Sequence, residues 1–191
     1  MSLLRYPWAA LQGTVKHLHI IPLLAMIEFL VMSDLSSQTP RSQHGLVTQR
    51  VGSTEITITY SRPVARGRNL FGGVVAWNRM WHPGADSSTT LSFSKDVTID
   101  GHALAAGRYT LWTMPQEPPK PWTVIFSRGV NNWHTQYPGE AQDALRITVT
   151  PETGANMETL AYYFPMVDAD SAVLRLHWGT VVVPMMIRAA R

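Results

Sequence analysis

Residues 56–60 read Ile-Thr-Ile-Thr-Tyr, with apolar and polar side chains in strict alternation. A period of two is typical of a β-strand that turns one face to a core and the other to solvent. A similar alternation recurs at residues 145–149 and 172–178. Further strands are predicted over residues 89–93, 96–99, 108–114, 122–127, 160–166 and 180–187. From Leu46 onward the chain therefore reads as sheet.

Turn residues separate these segments. Asp100-Gly101 is typical of a two-residue hairpin loop, while Gly179 and residues 168–171 predict two more turns. Only residues 140–143 indicate a short helical turn. About ten short strands with turns at regular intervals are typical of a sandwich or barrel. We therefore expect an all-β fold: a single antiparallel β-sandwich, jelly-roll-like, preceded by an N-terminal apolar helix.

Composition excludes several classes of protein. The 191 residues are 45% hydrophobic and 15% charged, which argues against long disorder and coiled coil. The net charge of +3 is too small and too dispersed to predict a nucleic-acid partner, so none is expected. The chain has no cysteine, which excludes disulfides, cysteine nucleophiles and thiolate zinc sites. We expect no cofactor and no metal ion.

The N-terminal segment differs from the rest of the chain. Residues 20–32 are apolar apart from Pro22 and Glu28, and Arg5 and Lys16 precede them. Basic residues before an apolar run predict a membrane anchor or a cleaved signal peptide, with the following domain exported. The side chains expected to contact the membrane are Ile20, Ile21, Leu23, Leu24, Ile27, Phe29, Leu30 and Val31.

This difference divides the chain into two parts. Residues 1–45 form the apolar segment with a polar linker, and residues 46–191 form the β-sandwich domain. The anchor and the signal peptide remain equal alternatives, because the apolar run is shorter than the ~20 residues of a straight spanning helix. In both cases we expect an extracytoplasmic protein, on the periplasmic side, that is membrane-anchored or secreted.

The candidate site lies in the irregular segment of residues 60–88. It holds four arginines, Arg62, Arg66, Arg68 and Arg79, with no acidic residue between them. Such a local excess of positive charge can bind a carboxylate, a phosphate or an acidic protein surface. The alternative, which we prefer, is that these arginines bind loop carbonyls and pair with acids elsewhere in the sandwich.

Aromatic and acid–base residues complete the candidate set. Trp133 lies in a predicted loop and is, with Trp77, a candidate for the exposed ring that sugar-binding sandwiches use. His82 and Asp86 are four residues apart and could act with Trp81 and the arginines around a loop pocket. No spacing matches a metal-ligand or catalytic motif, so no catalytic residue is assigned.

Read in order, the body of the chain resembles the bacterial family called domain of unknown function 2911. The resemblance covers residues 47–187 and is carried by Trp81, Gly84-Ala85 and residues 60–63, 66–68, 71–75, 93–97, 106–111, 122–126 and 143–146. It implies an exported bacterial β-sandwich, often behind a signal sequence, with no established reaction. The family usually reads Trp-Arg-Thr-Gly-Ala-Asn-Glu where residues 81–87 read Trp-His-Pro-Gly-Ala-Asp-Ser. Any family site at this run is therefore lost or rewritten here.

Two functional hypotheses from different classes remain. The leading one is a non-enzymatic, membrane-anchored or exported module that binds a partner protein as an accessory subunit of a membrane-associated assembly. The alternative is an extracytoplasmic hydrolase or a small-ligand binding protein, with carbohydrate as one candidate ligand. Enzymatic activity is left open, with a non-enzymatic module preferred. Across these hypotheses, the residues assigned to ligand or partner binding are Arg62, Arg66, Arg68, Trp81, His82, Asp86 and Trp133.

Overall fold

This computed structural model describes residues 42–129 and 136–190, and these residues contain ten β-strands. They are β1 (Gln43–Val51), β2 (Thr54–Arg62), β3 (Thr90–Phe93), β4 (Val97–Ile99), β5 (His102–Leu104), β6 (Gly107–Met114), β7 (Trp122–Ser127), β8 (Asp143–Val149), β9 (Glu152–Val167) and β10 (Ser171–Ala189). A short 3-10 helix, Glu140–Gln142, precedes β8. The predicted all-β class and the predicted helical turn are both confirmed.

The strands form two antiparallel sheets that pack as a sandwich. The larger sheet has six strands in the order β1-β2-β3-β6-β7-β8, and the smaller has four in the order β5-β4-β10-β9. The chain crosses between the sheets at the β3–β4, β5–β6 and β8–β9 connections. β9 and β10 are the longest strands, with 16 and 19 residues. They pair with each other at one side of the smaller sheet, with β9 at its edge, and they position part of the candidate site.

The core lies between the two sheets and is filled by alternate side chains. Ile56 and Ile58 of β2 have no exposed surface, and neither do Leu160 and Leu174 of the smaller sheet. Thr57, between the two isoleucines, is half-buried. Burying an aliphatic side chain of this size stabilises the fold by about 1.5–3 kcal/mol. The period of two in the sequence therefore identifies the buried face correctly.

The tight turn between β4 and β5 is the predicted hairpin. Asp100 and Gly101 have φ angles of +47° and +83°, and the flanking Ile99 and His102 are a paired couple. Two consecutive residues with positive φ between antiparallel strands form a type I′ turn, whose twist matches that of the strands. The hairpin prediction is confirmed.

The turn predicted at Gly179 is wrong. Gly179 lies inside β10, where it pairs with Met157 of β9, and the register of the ladder shifts on both sides of it. Its φ is +58°. A glycine with positive φ inside a strand marks a bulge, at which the strand bends without ending. β10 continues because β9 still pairs with it beyond the bend.

The predicted N-terminal helix and its membrane-contacting residues lie outside the described residues. β1 begins at Gln43, within the segment predicted as linker. Between residues 42 and 190, leaving out 130–135, no helix is long and apolar enough to cross a membrane.

Candidate functional site

The β2–β3 segment (residues 63–89) starts along the smaller sheet although it connects two strands of the larger one. The Ala65 N–H donates to the Glu158 carbonyl at 2.8 Å, and the Leu160 N–H donates to the Pro63 carbonyl at 3.0 Å. Both partners belong to β9. These bonds fix the beginning of the segment, so the side chains that follow it have defined positions.

Arg62 and Arg68 both donate to backbone carbonyls. Arg62 Nε reaches the Leu160 oxygen at 3.2 Å. Arg68 donates from Nε to the Ala65 oxygen at 2.9 Å and from Nη2 to the Val64 oxygen at 2.7 Å. Arg68 therefore binds loop carbonyls, as one of the two interpretations expects, whereas the carbonyl that Arg62 binds belongs to strand β9. A guanidinium nevertheless has more N–H donors than these bonds use.

The arginines of the segment do not pair with acids in the described ranges. Four ion pairs are present there, and they join Arg146 to Glu140, Arg146 to Asp143, Arg175 to Glu152 and Arg188 to Asp170. Arg66 and Arg68 are exposed. Their positive charges thus have no carboxylate partner in an ion pair among residues 42–129 and 136–190.

Phe71 is the centre of an aromatic cluster that joins the β2–β3 segment to both sheets. Its ring centroid lies 5.0 Å from that of Trp122 on β7 and 6.3 Å from that of Trp178 on β10. Trp77 stacks on Phe71 at 6.1 Å, and Trp81 meets it edge-on at 5.9 Å. Trp122 and Trp178 are buried, whereas Trp77 and Trp81 are partly exposed. The cluster extends the core and leaves two indole rings at the surface.

Gly72 and Gly73 let the chain fold closely around Trp77. A Cβ at Gly72 would lie 2.5 Å from Trp77 Nε1, and the φ of Gly72 is +87°. A Cβ at Gly73 would overlap the Asn69 carbonyl oxygen, which already accepts a hydrogen bond from the Val74 N–H at 3.0 Å. Both glycines are therefore required by close contact with their surroundings.

The central cleft, with a volume of about 460 Å³, opens beside the aromatic cluster. Its aromatic wall consists of Phe71, Trp77 and Trp178. Its polar lining consists of Arg68, Asn69, Asn156, Glu158 and Thr180. An aromatic wall with a few convergent polar groups is the usual composition of a small-molecule site. The central cleft is therefore the candidate binding site.

Two smaller clefts adjoin the central one. The arginine cleft, of about 310 Å³, shares Arg68 with it and is also lined by Arg66. The proline cleft, of about 220 Å³, shares Trp77 with it and is otherwise lined partly by side chains of the β6–β7 loop. The central cleft thus shares Arg68 with the arginine cleft and Trp77 with the proline cleft, and we call this set of three clefts the row.

Trp81 and His82 occupy separate environments. The Trp81 backbone exchanges two hydrogen bonds of 2.8 Å with Thr113 of β6, so the chain here is extended and consecutive side chains point to opposite faces. Trp81 stacks on Trp178 of the core at 6.1 Å. His82 meets Trp112, which is not part of that core, edge-on at 5.8 Å. The pocket in which His82 would act beside Trp81 and the arginines is not assembled.

The structure brings some of the predicted binding residues together and separates the rest. Arg66, Arg68 and Trp81 all line the arginine cleft. Three others, Arg62, His82 and Asp86, line none of the three clefts. Trp133 lies outside the described residues. A site at the arginine cleft therefore retains part of the predicted set.

The central cleft itself was not predicted as a unit. Its neutral polar residues come from separate parts of the chain: Asn69 from the β2–β3 segment, Asn156 from β9 and Thr180 from β10. Amide and hydroxyl side chains so far apart in the sequence form no recognisable motif. Trp77, one of the two candidate aromatic platforms, was a predicted residue that could have indicated the central cleft.

The Pro83 carbonyl anchors the run of residues 81–87. It accepts hydrogen bonds from Tyr162 Oη at 2.7 Å and from Thr89 Oγ1 at 2.9 Å. Burial raises the pKa of the Tyr162 phenol well above its ordinary value, so the hydroxyl keeps its proton and donates it. The neighbouring Gly84 packs so closely that a Cβ would lie 2.7 Å from Thr89 Oγ1. The run therefore holds one wall of the arginine cleft, which Gly84 lines.

A second polar cluster lies at the start of β8. Tyr137 Oη is 2.7 Å and 2.8 Å from the two carboxylate oxygens of Asp143, and Arg146 Nη2 donates to Asp143 Oδ2 at 2.7 Å. Burial, together with the hydrogen bond to Asp143, raises the pKa of Tyr137 to about 12. The opposite charges of Asp143 and Arg146 compensate each other, so we assign this cluster a structural role.

Comparison with known proteins identifies the family. Residues 42–187 match the family described as a protein of unknown function, DUF2911. The match includes the whole β2–β3 segment and all strands except the last two residues of β10. Neither the curated proteins nor the solved structures give a match. Because the matched range covers most of the sequence, the chain belongs to the DUF2911 family.

Proposed function

We propose that this domain is a non-enzymatic binding module whose ligand is a saccharide held in the central cleft. The observation that carries the proposal is the position of Trp77, whose partly exposed indole lines both the central and the proline cleft. An indole ring next to polar groups is complementary to a sugar, which has apolar C–H faces and a rim of hydroxyl groups. The module would therefore bind one sugar unit at Trp77 and further units along the row.

The polar lining of the central cleft supports this ligand class. Asn69, Asn156 and Thr180 are exposed, and their amide and hydroxyl groups can each donate and accept hydrogen bonds, as sugar hydroxyls do. The volume of about 460 Å³ lies within the range of roughly 300–1,000 Å³ of ligand pockets. The site thus offers hydrogen-bonding partners on several sides of a small polar ligand.

The aromatic platform is held in place before any ligand arrives. Trp77 stacks on Phe71, and Gly72 packs against the indole nitrogen of Trp77. A side chain that is already ordered loses less conformational entropy on binding. This preorganisation favours a binding surface over a loop that closes only around a substrate.

The single carboxylate among the described residues that line the central cleft favours binding over glycoside cleavage. Glycoside hydrolysis ordinarily needs two carboxyl groups on either side of the scissile bond. Among the described residues that line the central cleft, Glu158 alone carries a carboxylate, and its Oε1 accepts the Arg66 backbone N–H at 2.6 Å. We therefore propose that Glu158 holds the β2–β3 segment in place through this hydrogen bond.

Affinity electrophoresis tests the saccharide proposal. The full-length protein in mild detergent is run through native gels that contain soluble plant, algal or bacterial polysaccharides. We expect retardation by at least one of them, and an affinity about tenfold lower for Trp77→Ala, the equivalent of about 1.4 kcal/mol for one lost aromatic contact. Met166→Ala, an exposed apolar residue that lines none of the three clefts, is the matched control. Unretarded migration of the wild-type protein in every gel would refute the proposal.

We propose that the module acts outside the cytoplasm, either anchored or secreted. The support is the sequence of residues 1–45, basic first and apolar afterwards. The intact mass of the protein from native membranes tests this. The full-length value of 21.3 kDa indicates a retained anchor, and a value lower by roughly 4 kDa indicates a removed signal peptide. Recovery of the full-length protein only from the cytosol would contradict both.

A partner protein is the second candidate ligand. It is favoured by Val74, which is 45% exposed and lines the arginine cleft beside Arg66 and Arg68. An apolar side chain beside two cations that form no ion pair within the described ranges is suited to an acidic surface with an apolar centre. Crosslinking in native membranes, compared between wild type and Val74→Asp, tests this candidate. An unchanged crosslinking pattern would exclude the arginine cleft as the docking surface.

A further inference from the structure

We infer that the ligand of the central cleft is acidic: a saccharide whose carboxylate group, as in a uronic acid, binds at the arginine cleft. This inference depends on the saccharide function proposed above and specifies its ligand class. It follows from the charge of the arginine cleft, from the fixed position of Arg68, and from the presence of Arg68 and Trp77 in the lining of the same central cleft.

The charge of the arginine cleft is positive. Its lining includes Arg66 and Arg68 and, among the described residues, no carboxylate. Within the same ranges, neither guanidinium forms an ion pair. Glu158 lines the central cleft, and its Oε1 accepts the Arg66 backbone N–H at 2.6 Å. The two cations are therefore not neutralised from within the cleft.

The guanidinium of Arg68 is held in a fixed orientation. Its Nε and Nη2 donate to the carbonyls of Ala65 and Val64 at 2.9 Å and 2.7 Å, and Ala65 itself is tied to β9. The remaining N–H groups of the planar fork keep a defined direction, which suits the two oxygens of a carboxylate. A flexible surface arginine would first have to lose its side-chain entropy.

Arg68 and the aromatic platform, Trp77, line the same central cleft. Arg68 lines the arginine cleft and the central cleft, while Trp77 lines the central cleft and the proline cleft. A sugar stacked on Trp77 and a carboxylate bound to Arg68 would therefore be parts of one ligand in the central cleft. Neighbouring acidic sugars would extend the contact to Arg66. In this arrangement Arg68 would recognise the carboxylate of the ligand, and Trp77 would recognise the flat apolar face of a sugar ring.

Isothermal titration of matched oligosaccharides tests this inference. The probes are hexamers of galacturonate, mannuronate, guluronate and glucuronate, the corresponding neutral hexamers, and the methyl ester of each acidic hexamer. We expect the full-length protein in mild detergent to bind at least one acidic hexamer. We expect its methyl ester to bind at least tenfold more weakly, because esterification removes the charge and keeps the sugar backbone. Raising the salt concentration should weaken the acidic hexamer alone.

Charge-removing variants locate the contact. Arg66→Gln should weaken binding of the acidic hexamer about tenfold and leave the methyl ester unaffected, and its side chain makes no hydrogen bond to any described residue that the fold would lose. Arg68→Gln should weaken binding further, and Arg68→Lys should restore only part of it, because a lysine has no planar fork. Arg79→Gln is the matched control, since Arg79 is exposed in the same segment and lines none of the three clefts.

The outcomes separate this inference from the function on which it depends. Equal binding of an acidic hexamer and its methyl ester, or binding of neutral hexamers alone, overturns the acidic ligand and keeps the saccharide function. Absence of binding to every hexamer overturns both. Binding of a polyglutamate peptide with no saccharide binding also overturns both, and it supports the partner protein. Loss of affinity in Arg79→Gln equal to that in Arg66→Gln overturns the assignment to the arginine cleft.

Discussion

Replacing Gly179 by alanine tests whether the bend in β10 depends on the absence of a side chain. Gly179 has a φ of +58°, a region that costs other residues about 1–2 kcal/mol. A Cβ there would also lie 2.8 Å from Leu70 Cδ1. Because Leu70 is buried, moving it adds about 1–3 kcal/mol of overpacking. We therefore expect Gly179→Ala to lower the free energy of unfolding by about 2–5 kcal/mol.

Gly101→Ala separates the two contributions. Gly101 has a φ of +83°, and a Cβ there would meet nothing within 4 Å. This variant should lose only the backbone cost of about 1–2 kcal/mol. Equilibrium unfolding in urea, followed by tryptophan fluorescence, measures both variants at constant slope. Equal losses would refute the packing argument at Leu70. A loss below about 0.5 kcal/mol in both would refute the backbone argument as well.

Hydrogen bonding and burial elsewhere in the sandwich give three further tests. Tyr162→Phe removes one donor to the Pro83 carbonyl and should lower the free energy of unfolding by about 1 kcal/mol; an unchanged urea midpoint would contradict this. Ile58→Ala empties a fully buried position and should cost about 2–5 kcal/mol, measured in the same way, and a loss below about 1 kcal/mol would show a looser core. The pKa of Tyr137, raised from 10.0 to about 12, means that the protonated phenol stabilises the folded state below pH 10 and that this contribution is lost as the pH rises to 12. Tyr137→Phe should remove that part of the alkaline loss of stability, and identical pH profiles of the two proteins would argue against it.

Local chemistry accounts for what the sequence predicted about the fold. The alternation in β2 and the two turn residues Asp100 and Gly101 are features of adjacent residues, and they determine strand faces and a hairpin without reference to the rest of the chain. Gly179 shows the limit of this reasoning. A glycine between two alternating runs fits a turn and a bulge equally well. Which of the two forms depends on β9, the strand that pairs with β10 on both sides of Gly179.

The candidate site was predictable where it is charged or adjacent in the chain. Arg66 and Arg68 stand out because no acid lies near them in the sequence. The opposite directions of Trp81 and His82 could also have been expected, since consecutive residues of an extended segment face opposite ways. The contribution of Asn156, by contrast, depends on packing between the β2–β3 segment and β9. No local signal in the sequence encodes that contact.

The register shifts on both sides of Gly179 should also affect the rate of backbone hydrogen exchange. Ladder hydrogen bonds are interrupted at a bulge, so amides there are expected to exchange with solvent deuterium faster than those of the regular strand around them. Gly179 and Thr180 both line the central cleft. Hydrogen exchange at these two amides of β10 should therefore slow when a ligand fills the central cleft. Amides of β4 and β5, at the other side of the same sheet, should exchange at an unchanged rate.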